Sequence, residues 1–140
     1  MRVLVTDRDS IEKGPDLGPG HVVISIRDPD RKPARIKEHA GLRGVLRLAF
    51  DDAEPCEDLE LPRSVRLMTE ADAAAVWRFV DEHKARAALL VVHCEMGLSR
   101  SPAVAAAVTR ALGGDDGPFF DEYLPNRFVY DLLLRVRGLG

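Results

Sequence analysis

Cysteine is scarce: Cys56 and Cys94 are the only two in 140 residues. Two thiols are too few for the disulfide framework of a small secreted scaffold. They are not paired at a zinc-binding spacing, and the histidines are scattered at positions 21, 39, 83 and 93. No apolar run is long enough to span a membrane. The opening MRVLVTDRDS puts arginine and aspartate where a secretory signal needs an unbroken apolar stretch. A large excess of charge of either sign is missing too. A formal net charge of −3 and a pI near 5.8 argue against a nucleic-acid or membrane-surface binder, so any electropositive site must be local. Internal repeats and low-complexity linkers are absent. What the chain does have is 46% hydrophobic residues, enough for one core across residues 1–140. The expectation is a soluble, cytoplasmic, single-domain protein.

The order of elements points to a fold class. Val3-Leu4-Val5 reads as a first strand, followed by a helical turn at most and a loop carrying Gly14, Pro15, Gly18, Pro19 and Gly20. The β-branched run from His21 to Ile26 reads as a strand and Gly44 to Phe50 as another. Between them, the basic stretch from Arg27 to Lys37 reads as an exposed loop or short helix. An acidic loop, Asp51 to Pro62, is too long for a plain connector. Thr69-x-x-Asp72 resembles a capping box opening a helix that runs to about Lys84, with Trp77 on its core face. Leu89 to His93 is an apolar strand. A helix from Pro102 to Leu112 stops at Gly113-Gly114, and a last helix covers Asn126 to Arg137. Strands separated by helices imply an α/β layer fold, with a central, mainly parallel sheet of about four to five strands flanked by helices.

The chemistry is concentrated in His93-Cys94-Glu95-Met96-Gly97-Leu98-Ser99-Arg100-Ser101-Pro102. An apolar strand ends at a cysteine, a short glycine-containing loop follows, and Pro102 suits the first position of the next helix. Such a loop gathers the backbone N–H groups of Glu95, Met96, Gly97, Leu98, Ser99 and Arg100 into one concavity, to which the helix dipole adds positive potential. The result is a phosphate-binding loop sized for a tetrahedral oxyanion. Gly97 allows the curl by taking positive φ. The potential favours Cys94 as its nucleophilic thiolate. Arg100 returns from the far side to bind two phosphate oxygens as a bidentate fork, a geometry lysine lacks. Ser101 is placed to donate to the sulfur when it departs. His93 reads as a residue that orders the loop by donating to a nearby carbonyl.

The string HC-x5-R-S resembles the signature of the protein tyrosine phosphatase superfamily, and HCEMGLSRSPA is most similar to its compact dual-specificity branch. The resemblance implies phosphomonoester hydrolysis through a phosphocysteine on Cys94, with phosphorylated protein or another phosphomonoester as substrate. It also implies a general acid on an upstream loop. Laid on that pattern, Leu48-Ala49-Phe50-Asp51-Asp52 puts the acid at Asp52, with Asp51 as the alternate. Pro125-Asn126 resembles a pair at the start of the family's last helix, where the asparagine supports the phosphate loop. The sequence has no glutamine, so the water-positioning glutamine of the larger tyrosine-specific enzymes has no counterpart. Glu95 and Met96 are not basic, which argues against phosphoinositide substrates. No metal or organic cofactor is implied, because thiolate and guanidinium suffice for the chemistry.

Two other readings compete. One is a catalytically silent phosphate-binding pseudophosphatase; the other is a rhodanese-like sulfurtransferase, whose loops are typically shorter or lack the arginine–serine ending. Cys56 reads as an ordinary loop thiol in preference to a redox partner of Cys94. The cluster Arg27, Arg31, Lys32, Arg35 and Lys37, interleaved with Asp28, Asp30 and Glu38, reads as a solvated face.

Overall fold

The computed structural model describes residues 1–55 and 60–140; Cys56 lies outside the described residues. Four strands, β1 (Arg2–Asp7), β2 (His21–Arg27), β3 (Leu42–Ala49) and β4 (Leu89–Cys94), form one wholly parallel sheet in the order β1-β4-β2-β3. The sequence explains the order. HVVISI and LLVVHC carry no charged residue in their apolar runs and take the two central places, where both faces are covered. β1 and β3 carry Arg2, Arg43 and Arg47 and sit at the edges, where charge on the strand discourages further pairing.

The strands' two-residue period divides the core in two. Val22, Ile24, Ile26, Leu90, Val92 and Cys94 face a helical layer made of α2 (Glu70–His83), α3 (Arg100–Ala111) and α5 (Arg127–Arg137). Val23 and Val91 face the other way, against Ile11 of the short α1 (Arg8–Glu12) and the apolar side chains Leu17 and Ile36 of the flanking loops. α3 reads ProAlaValAlaAlaAlaVal and is buried from Arg100 to Val108. Its small side chains let it lie close to β1 and β4, with α5 packed alongside. Trp77 is core, as its helical spacing suggests, and its indole N–H donates to the Leu133 carbonyl at 2.9 Å, joining α2 to α5.

The structure departs from the sequence reading in several places, β3 among them, which runs from Leu42 to Ala49 rather than from Gly44 to Phe50. α3 starts two residues early, so Pro102 is its third residue rather than its first. That position still needs no N–H partner, because the first four amides of a helix have none within it. A further helix, α4 (Gly117–Glu122), follows the Gly113-Gly114 stop; its six residues, with no buried member, leave little periodic signal. The segment after Arg27 is not simply exposed, since Ala34 is buried within it.

The capping box is present. Thr69 Oγ1 accepts from the Asp72 amide at 3.1 Å, and the Asp72 carboxylate accepts from the Thr69 amide at 2.9 Å. Replacing Thr69 with alanine is expected to lower stability by about 1 kcal/mol. A urea titration checks this, with the midpoint falling at constant slope.

Candidate active site

β4 delivers Cys94 to the carboxyl edge of the sheet, and the chain then curls through residues 95–99 into α3. The curl turns on Gly97, at φ +71°, where a Cβ would lie 2.8 Å from the Thr6 carbonyl oxygen of β1. A side chain there would meet both a steric wall and an unfavourable backbone region. The curl brings the Gly97 N–H to 3.2 Å from Cys94 Sγ, and the first turn of α3 puts the Ser101 hydroxyl 3.1 Å from the same sulfur. Among the described residues no protein acceptor takes the amides of Met96, Leu98 or Ser99. The side chains of Met96 and Leu98 are 71% and 54% exposed, so what these two residues offer the concavity is backbone.

Ser99 is the N-cap of α3 but does not cap it. A capping serine accepts from the second or third helical amide, and the third residue here is Pro102, which has none. The Ser99 hydroxyl donates instead to Asp52 Oδ1 at 2.9 Å. Asn126 Nδ2 donates to the same oxygen at 2.9 Å and to the Ala53 carbonyl at 3.1 Å, while its Oδ1 caps α5 by accepting from the Val129 amide. Asn126 reaches the phosphate loop through its backbone, its amide donating to the Ser99 carbonyl at 3.0 Å. Its side chain therefore holds the acidic loop rather than the phosphate loop. Asp51 points elsewhere: its carboxylate accepts from the Arg66 amide at 2.8 Å, and its own amide donates to the Arg66 carbonyl. Of the two aspartates, Asp52 is the one joined to residue 99.

Arg100 is 5% exposed. Its Nη1 donates to the Phe50 carbonyl at 2.7 Å and pairs with Asp28 Oδ1 at 2.8 Å, whereas its buried Nε has no partner. Glu95 does not turn its carboxylate into the loop. It is held by Arg8 at 3.1 Å and Arg31 at 3.4 Å, which keeps its negative charge off the concavity. Thus the segment read as a solvated face contributes Asp28 and Arg31 to the site. The sequence signal was the alternation of acids and cations just after a central strand. An aspartate in such a run has no recognisable partner until the fold brings residue 100 to it.

His93 is fully buried on the thin side of the sheet, beside its register neighbour Ser25. Its Nε2 lies 2.6 Å from the Ser25 hydroxyl and its Nδ1 3.2 Å from the Cys94 carbonyl. A carbonyl only accepts, so Nδ1 carries the hydrogen and, in the neutral ring, Nε2 accepts from Ser25. Burial pushes the imidazole below its ordinary value of 6.5, outweighing the Cys94 carbonyl and the Glu95 charge, which act the other way. A groove of about 590 Å3 opens beside the loop, lined by Ser99 of the loop, by Asp52 of the acidic loop and by Phe120, Tyr123 and Leu124; Cys94 is not in its lining. Among the described residues, no helix is long and apolar enough to cross a membrane.

Neither a protein-family model nor a curated protein matches the sequence. Solved structures do. The human tyrosine phosphatase-like serine/threonine/tyrosine-interacting protein superposes with a TM-score of 0.64 at 19% identity, covering 98% of this chain and 91% of that one. Human DUSP28 superposes with a TM-score of 0.51 at 20% identity, covering 97% and 91%. Over nearly its whole length, the chain has the fold of dual-specificity-phosphatase-like proteins.

Two expectations follow. With its folded value below 6.5, His93 takes up a proton more readily in the unfolded chain. Its contribution to stability is therefore complete above about pH 6.5 and is lost as pH falls below that. Denaturation midpoints between pH 7.5 and 5.5 should fall less steeply for His93→Asn than for wild type, by up to about 1 kcal/mol per pH unit. Equal slopes would assign the effect to another group. Gly97→Ala should lose about 1–3 kcal/mol of stability through its backbone conformation, together with oxyanion binding.

Proposed function

We propose that this chain is a cysteine-dependent phosphomonoester hydrolase of the protein tyrosine and dual-specificity type, acting on phosphorylated protein. One observation carries the reading: Cys94 Sγ sits between the Gly97 N–H and the Ser101 hydroxyl, on the loop that also carries the buried, unpartnered Nε of Arg100. A sulfur nucleophile, amides without a protein acceptor and a guanidinium with an unpartnered N–H on one loop fit a trigonal-bipyramidal phosphoryl group.

In the first step the Cys94 thiolate attacks phosphorus and the ester P–O bond breaks. Asp52 protonates the leaving oxygen, while the loop amides and Arg100 hold the three equatorial oxygens. In the second step water attacks phosphorus, Asp52 takes its proton, and the P–S bond breaks with the Ser101 hydroxyl donating to the departing sulfur. Inorganic phosphate leaves and the thiolate returns. Asp52 suits the acid role because one oxygen is anchored by Ser99 and Asn126, while Oδ2 has no protein partner among the described residues. Asp51 suits it less, with its carboxylate engaged by the Arg66 amide. His93 supports the loop, and Asn126 supports the acid.

A phosphate-reading binding module is the second reading. One structural neighbour bears the name of an interacting protein that is only tyrosine-phosphatase-like. The presence here of a nucleophile, a clamp and an acid favours turnover.

Steady-state hydrolysis of an aryl phosphate from pH 5 to 8, run beside Cys94→Ser, separates the two. Turnover that vanishes in the variant, with oxyanion binding kept, supports the hydrolase. A folded, reduced wild type that binds oxyanions without turnover supports the binding module. Asp52→Asn should slow an alkyl phosphate by roughly 10²-fold or more and an activated aryl ester far less. If Asp51→Ala shows that pattern instead, Asp51 is the acid.

A further inference from the structure

The contact that the reaction scheme leaves unused is the ion pair between Arg100 and Asp28. A guanidinium has five N–H donors in a rigid plane, and a bidentate grip on phosphate needs two of them on one edge. Arg100 Nη1 donates to the Phe50 carbonyl at 2.7 Å and is ion-paired with Asp28 Oδ1 at 2.8 Å. A hydrogen bond and an ion pair on one nitrogen restrain the group. The edge they leave is Nε and Nη2, and Nε is buried without a partner. Asp28 is itself held. It begins a turn in which the Arg31 amide donates to the Asp28 carbonyl at 3.0 Å, and Arg27 Nη1 donates to the carbonyls of Pro29 and Arg31. At the turn's far end, Arg31 grips Glu95, the residue after the nucleophile.

We infer that Asp28 is a positioning residue for oxyanion binding: its carboxylate fixes the Arg100 plane so that the Nε–Nη2 edge is presented to two phosphate oxygens. This deepens the proposed function, but it rests only on oxyanion binding at the loop and holds whether or not turnover follows. The alternative is that Asp28 is a rival anion occupying the clamp and weakening it.

The sign of one substitution decides. Asp28→Asn removes a negative charge beside a site for a dianion, so by charge alone it should tighten binding. A positioning role predicts the reverse. Calorimetric titration with tungstate, a tetrahedral oxyanion, should give a Kd about tenfold higher for Asp28→Asn, while Asp28→Glu, which keeps the charge on a longer arm, should lie between. The melting temperature, read alongside, should stay close to wild type, since the Asp28 side chain is one-third exposed. Where aryl phosphate is hydrolysed, KM should rise with the tungstate Kd. An unchanged or lower Kd in Asp28→Asn, with wild type binding tungstate normally, overturns the inference and leaves the proposed function standing. A folded wild type that neither binds tungstate nor hydrolyses aryl phosphate overturns both.

Discussion

The geometry of the site depends on one close approach, the passage of Gly97 against the carbonyl end of β1. β1 and β4 are hydrogen-bonded neighbours, and at their carboxyl ends the chain leaving β4 must turn back across Thr6 to enter α3. A glycine at positive φ makes that crossing without strain, and the crossing aims the Gly97 N–H at Cys94 Sγ. If the loop swung wider, the sulfur would lose that donor and Arg100 would begin its helix in another direction. The parallel sheet matters for the same reason. Its central strands end together at the edge where α3 begins, so the nucleophile and a helix N-terminus share one place.

Around this loop, three other segments are tied by hydrogen bonds and ion pairs. The acidic loop is held at Phe50 by Arg100 and at Asp52 by Ser99 and Asn126. The start of α5 is held by the Ser99 carbonyl, and the turn after β2 by Arg100 and Glu95. Apolar burial can place strands and helices to within an ångström or so but says little about side-chain direction. Directional bonds can orient a guanidinium and a carboxylate. Here the scaffold is made by burial and the site by polar contacts, most of them to residues 95–100.

That division explains what could be read from the sequence. Burial leaves periodic traces, and so the four strands, α2 with its capping box, and α3 and α5 were legible to within a few residues. Cys94, Gly97, Arg100 and Ser101 could be picked out as one loop because they lie in one continuous segment, and the structure brings the sulfur, the Gly97 amide and the Ser101 hydroxyl together. Two kinds of feature were not. α4 has six residues and no buried face, so it has no period to detect. Asp28 and Arg31 act across long sequence separations, and in a run of mixed charge nothing distinguishes a paired aspartate from a solvated one. Asn126 was found for its place at the helix start, yet its side chain holds Asp52 and Ala53 rather than the phosphate loop. A motif identifies the residue; only the fold supplies its partner.

The buried Nε of Arg100 shows what such a site demands of the fold. A buried N–H without an acceptor costs about 1–3 kcal/mol, and native proteins carry few of them. Among the described residues, the neighbouring Nη1 has an acceptor in Phe50 and an ion-pair partner in Asp28, while Nε has neither. A third acceptor on the Nε side would stabilise the folded chain and block the edge an oxyanion needs. The free loop amides follow the same logic, because donors reserved for a ligand cannot also close hydrogen bonds within the protein. On the proposed function, an oxyanion that satisfied them would stabilise the fold. On that reading, unsatisfied donors lower stability at the loop itself, and supports such as the Asp28 turn and the Asn126 cap lie close by to keep the donors in place.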